Sequence, residues 1–179
     1  IFDNRMVKAA EVHNEWALGK DYNNAKIPSQ YLSNMEKMQT IAYMVVKDDS
    51  IRHEEYWGRY SDTSHTSSFS MAKTFISIVV GIAIEEGKIK SIDEPIGDFL
   101  PEYKEGKKSK VTIRHLLTMS SGINFDESYI NPIGFAAEAY YGSDLRKLIF
   151  KYDAVDEPGK VFEYKSGNTQ LLGFVLSKA

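Results

Sequence analysis

The chain of 179 residues contains no cysteine. Disulfide bonds, thiolate nucleophiles and cysteine-based zinc sites are therefore excluded. No apolar run approaches the roughly 20 residues that a membrane-spanning helix needs. Excess charge of one sign is also small. The formal net charge is −3, so nothing points to nucleic acid or an anionic membrane surface as a partner. Histidine is scarce. The four residues (His13, His53, His65 and His115) show no ligand spacing such as H-x-x-x-H, and each reads as structural or solvated rather than as a metal ligand. Internal repeats and low-complexity tracts are missing. The first residues, Ile1 to Met6, have no signal-peptide character and do not begin with Met, so the true start is expected upstream.

What remains is an ordinary globular composition, 42% hydrophobic and 26% charged, with a length that suits one domain and a sizeable core. Val7 to Leu18 is read as a helix. Thr40 to Val46 is rich in β-branched and aromatic residues and predicts a strand. Lys47-Asp48-Asp49-Ser50 predicts a turn, with Ile51 to Tyr60 as the return strand of a hairpin. An apolar helix follows from about Ser70 and stops at Gly87, a residue suited to a left-handed C-terminal cap. Thr112 predicts the N-cap of a helix over Ile113 to Ser120, with Gly122 as its stop. Ser143-Asp144 caps Leu145 to Phe150, and a last helix begins near Thr169. A two-stranded hairpin cannot bury both its faces. The chain also ends inside an apolar helix, so it is expected to hold only part of its fold.

The strongest chemical signal is Ser70-Met71-Ala72-Lys73. Residues at i and i+3 share a helix face, so the Lys73 amine can reach the Ser70 hydroxyl. A serine hydroxyl is a weak nucleophile until a base takes its proton. By chance, Ser-x-x-Lys occurs on the order of once in a chain this long, so context decides. Polar, turn-like Thr63 to Ser68 precedes it. The segment after it is apolar nearly all round, which predicts a helix buried inside a domain.

With the segments around it, Ser-x-x-Lys resembles the acylating pair of the serine β-lactamase/penicillin-binding protein superfamily. The branch it is most similar to holds class C β-lactamases, D-alanyl-D-alanine carboxypeptidases, family VIII esterases and nylon-oligomer hydrolases. The resemblance runs from about Thr40 to the end. It includes Gly87-Lys88-Ile89, Asp93-Glu94-Pro95-Ile96, the run from Val111 to Ile123, the segment Pro158 to Ser166, and Leu171-Leu172-Gly173. His115 lies in a structural signature and reads as a packed scaffold residue.

The resemblance implies an α/β (α+β) fold, a helical domain beside an antiparallel sheet. Residues 1–62 would supply the first segment and hairpin of the sheet domain. Residues 63–179 would form a mainly helical domain, with the later strands missing. It implies Ser70, Lys73 and Tyr164 as catalytic residues and Ser166 as substrate-binding, where asparagine is commoner in the Tyr-x-Asn motif. Asn168 is a second candidate for that amide. The family's third motif, Lys/His-x-Gly on a late strand, is absent. The implied activity is hydrolysis of an ester or amide through an acyl-enzyme, without metal or organic cofactor. The alternatives are a D-alanyl-D-alanine carboxypeptidase or β-lactamase, and a non-catalytic sensor or binding module. The implied partner is a small-molecule ester, amide or peptide substrate, and the implied location is periplasmic or secreted. The aromatic stretch Tyr129 to Tyr141 would either wall the acyl pocket or pack on the helical core.

Overall fold

The computed structural model describes residues 6–8, 10–12 and 15–179. The chain divides into two compact units, Ile1–Ser67 and Ser68–Ala179.

The first unit is built on a hairpin. Strand β2 (Ala42–Lys47) pairs antiparallel with β3 (Ser50–Tyr56), with Ala42 opposite Tyr56 and Lys47 opposite Ser50. Two residues join the strands. Asp48 (φ 51°) and Asp49 (φ 52°) are both left-handed, the double positive φ that matches the twist of a tight hairpin and that aspartate tolerates. A bulge lies between Val45 and Val46. The expected helix over Val7 to Leu18 does not appear among the described residues. Ala17–Leu18 instead form a short strand, β1, parallel to β3, giving the order β1-β3-β2. Part of that expectation, with His13, lies outside the described residues. A helix not foreseen, α1 (Ser29–Lys37), starts after Pro28. None of the described residues in this unit is buried.

The second unit carries the core. A single 3-10 turn (Phe69–Met71) leads into α2 (Ala72–Glu85), and Gly87 (φ 71°) ends it in the expected left-handed cap. A run of 3-10 turns between Ile96 and Lys110 leads to α3 (Ile113–Leu117). At its start the Thr112 hydroxyl accepts from the His115 N–H, while the Thr112 N–H donates to His115 Nδ1. This reciprocal pair caps the helix. Helices α4 (Phe135–Tyr141), α5 (Leu145–Phe150, capped by Asp144) and α6 (Ser166–Leu176) complete the unit. The last begins at Ser166, three residues before the Thr169 expected.

Helix α6 is the hub, packing on α2, α3 and α5. Leu171, Leu172 and Val175 meet Val80 and Ala83 of α2 and Ile113 and Leu116 of α3 within one core cluster. The Phe125, Phe135 and Tyr152 rings pack at centroid distances of 5.1–5.5 Å, in the tilted geometry that aromatic quadrupoles favour. Gly167 admits the Phe125 ring: a Cβ there would lie 2.6 Å from it.

Helix α2 departs from expectation. Its apolar character all round predicts burial, yet only Val80 and Ala83 are buried, while Phe75, Ile78, Val79 and Ile82 stay exposed. Composition establishes that both faces are apolar, but not which of them a neighbour covers.

Candidate active site

Two segments far apart in sequence meet at Ser70. The first is the 3-10 turn at the head of α2. Its opening residue, Phe69, is left-handed (φ 44°) with its ring exposed. Such a backbone costs a bulky residue on the order of 1–3 kcal/mol and is held only where the surroundings enforce it. The next residue, Ser70, is exposed, and Lys73 stands one turn further on. The Lys73 ammonium donates to Ser70 Oγ at 3.1 Å, as the i, i+3 spacing predicts.

The second segment carries Tyr164 into α6, and the stretch after α3 fixes it. Met119 is left-handed (φ 53°), and its carbonyl accepts from the Glu163 N–H at 2.8 Å. The Ser120 carbonyl accepts from the Gly159 N–H at 2.7 Å. Gly159 (φ 82°) lies against His115, and a Cβ there would approach His115 Nε2 to 2.9 Å. Burial lowers the His115 pKa, favouring the neutral ring. His115 is therefore a scaffold residue, joining the α3 cap to the Pro158-Gly159 turn. Gly122 (φ 70°) packs on the Asp156 carbonyl, where a Cβ would come within 2.5 Å.

Held this way, the Tyr164 hydroxyl donates to Ser70 Oγ at 2.8 Å, across 94 positions of sequence. The Lys73 ammonium lies 5.0 Å from the Tyr164 ring centroid. The phenol's pKa is lowered from the ordinary tyrosine range. The hydrogen bond with Lys73 is the largest cause and that with Ser70 the next; partial burial and the Glu127 carboxylate oppose them. Ser70, Lys73 and Tyr164 thus form one contiguous cluster of hydroxyl, ammonium and phenol.

Ser166 lies beside this cluster, but its donors are engaged. Its N–H donates to Glu127 Oε2 at 2.7 Å and its hydroxyl to Glu127 Oε1 at 2.5 Å. The Tyr129 hydroxyl also donates to Oε1, at 2.7 Å. Glu127 is the residue that the sequence did not single out, since no motif links it to a partner 39 positions away. Asn168 is turned into the core. It is fully buried, accepts from the Ser121 hydroxyl at 2.6 Å and donates to Met119 Sδ at 3.6 Å. The Tyr129 to Tyr141 stretch divides: Phe135 is core, while Tyr129, Ile130, Ile133, Tyr140 and Tyr141 are exposed.

Behind Lys73 a shallow cavity of about 200 Å³ opens between α2, α3 and α6, edged by Thr74, Ser77, Met119 and Thr169. A larger cleft of about 630 Å³ lies in the first unit beside Leu32, Met35 and Trp57. Among the described residues no group of three or more histidine, aspartate or glutamate side chains is placed to hold a metal ion. Among them, too, no helix is long and apolar enough to cross a membrane.

Known proteins resemble this chain in sequence and in fold. An uncharacterized protein of Alkalihalophilus pseudofirmus is 28% identical over 168 residues, covering 83% of this chain and 49% of that protein. The 6-aminohexanoate-dimer hydrolase of Paenarthrobacter ureafaciens is 24% identical over 98 residues, 55% of this chain and 25% of that enzyme. Among solved structures, a candidate 6-aminohexanoate-dimer hydrolase from Bacillus anthracis superposes with a TM-score of 0.70 at 18% identity. The match covers 92% of this chain and 48% of that one. The octameric penicillin-binding protein homologue from Pyrococcus abyssi gives a TM-score of 0.59 at 24% identity, over 84% of this chain and 37% of that one. The chain thus spans about half the length of the first of these relatives. These superpositions show the β-lactamase/transpeptidase fold. A sequence model described as Beta-lactamase matches residues 29–179, and the chain belongs to that family, within the serine β-lactamase/penicillin-binding protein superfamily.

Proposed function

We propose that the protein containing this chain is a serine hydrolase of ester or amide bonds that works through an acyl-enzyme. The observation that carries the reading is the Ser70 hydroxyl, bonded at once to Lys73 and Tyr164. Tyr164 as phenolate takes the Ser70 proton while Oγ attacks the substrate carbonyl carbon. Lys73 holds both oxygens and offsets the phenolate charge. The oxyanion of the tetrahedral intermediate is met by the Ser70 backbone N–H at the head of α2, together with the helix dipole. Tyr164 then returns the proton to the leaving alcohol or amine as the carbonyl re-forms. A water deprotonated by the same phenolate releases the acid and frees Ser70. This cycle calls for no metal or organic cofactor. The substrate is a small-molecule ester, amide or peptide. By analogy with the family the work is done in the periplasm or outside the cell, and the remainder of the same fold would complete the cleft.

The name of the Paenarthrobacter relative, a hydrolase, supports this class of activity. Engagement of Ser166 by Glu127 favours an esterase or amidase over a dedicated β-lactamase or D-alanyl-D-alanine peptidase, because no free amide stands two residues after Tyr164. The test compares turnover of a p-nitrophenyl ester with that of a chromogenic cephalosporin. The expected result is ester hydrolysis that exceeds cephalosporin hydrolysis and disappears in Ser70→Ala. Stable acylation without turnover would instead mark a sensor module.

A further inference from the structure

Glu127 stands at the rim of the site, and its hydrogen bonds define what that rim offers. An ionised carboxylate accepts only, with about four lone-pair positions. Oε1 takes the Ser166 and Tyr129 hydroxyls, and Oε2 takes the Ser166 N–H. One position on Oε2 remains, on a side chain that is only half-buried. The two polar donors of Ser166 are consumed, so this side of the site presents an acceptor and a negative charge where the resemblance implies a substrate-binding hydroxyl. The charge reaches the reacting groups: the Glu127 carboxylate acts through space on the Tyr164 phenol.

The surrounding charges do not cancel it. Lys165 is paired with Glu163 at 3.7 Å and also faces Asp126. Lys73 is committed to Ser70 and Tyr164. Both nearby ammonium groups are thus engaged by partners other than Glu127.

Building on the hydrolase reading above, we infer that Glu127 is a specificity-determining residue that selects acyl donors carrying a cationic or N–H-donating group and disfavours those carrying a carboxylate. A cationic acyl group gains from the free Oε2 position. An anionic one meets repulsion that is weakly screened inside a Debye length of about 8 Å.

The test uses three p-nitrophenyl esters of matched length on the intact protein: 4-trimethylammoniobutanoyl, pentanoyl and 4-carboxybutanoyl. The expected order of kcat/KM is cationic, neutral, anionic, with a cationic-to-anionic ratio of about tenfold or more. Glu127→Gln should collapse that ratio toward one and leave the ratio steeper at low salt only in the unsubstituted protein. Lys165→Met, which removes a positive charge, should raise the ratio, and it keeps the test open if the Glu127 variant does not fold. Turnover with a ratio near one, or a ratio unchanged by Glu127→Gln, overturns the inference while leaving the hydrolase reading intact. A preference for the anionic ester, abolished by Lys165→Met, overturns it in favour of Lys165 as the selecting charge. Absence of turnover with all three esters overturns both readings together.

Discussion

The two units are made of similar residues but bury them differently. Residues 68–179 close a core in which Ile96, Leu100, Ile113, Leu116, Ile149 and Leu171 are fully removed from solvent. In the first 67 residues, regular strands and a helix form, yet none of the described residues is buried. The hairpin therefore rests on local rules: two left-handed aspartates at its turn and a ladder running from Ala42–Tyr56 to Lys47–Ser50. The site lies wholly in the second unit, where packing rather than local preference fixes the backbone. Ser70 and Tyr164 come from segments 94 positions apart, and the hold of α3 on residues 159–163 is what brings them into register.

Several substitutions would sharpen or break this contrast. The largest stability effect is expected in the aromatic core of the second unit. Phe125→Ala, which removes a ring packed against Phe135, Tyr152 and Gly167, should cost about 3–5 kcal/mol in denaturant unfolding. Gly122→Ala comes next. It places a Cβ at φ 70° and 2.5 Å from the Asp156 carbonyl, and should cost about 1–3 kcal/mol. A pH effect follows from His115, whose pKa burial lowers. The unfolded chain holds the proton more tightly there, so this contribution to stability is complete above the free histidine value of about 6.5 and is lost as pH falls through the folded value. His115→Gln should flatten that part of the stability–pH curve, measured by thermal unfolding between neutral and mildly acidic pH. The smallest effect is expected at Val45 in β2, an exposed strand position. Val45→Ala should fall within about 0.5 kcal/mol. A loss comparable to that of Phe125→Ala would show that the sheet is covered after all.

The legibility of the sequence follows the same division. Signals that act over a few residues were readable: the Asp48-Asp49 turn, the caps at Thr112 and Asp144, and the Gly87 stop to α2. So were the i, i+3 relation of Ser70 to Lys73 and, through family resemblance, the position of Tyr164. Pairings set by distant partners were not. Ala17–Leu18 become a strand only because β3 offers an edge to them. The exposed face of α2 looks the same in sequence as its buried one. Helix α1 was foreshadowed by Pro28 followed by the stripe Tyr31, Leu32 and Met35, a cue weaker than the polar residues around it. Glu127 carried no cue, because its partners Ser166 and Tyr129 are gathered by the fold.

The most direct measurement is the site of covalent modification by a fluorophosphonate, located by peptide mass spectrometry. A single adduct on Ser70 is expected, abolished in Ser70→Ala and slowed by on the order of 10²-fold or more in Tyr164→Phe, where the phenol that takes the proton is gone. An adduct on another residue, or labelling of Ser70 as fast in Tyr164→Phe as in the unsubstituted protein, would contradict it.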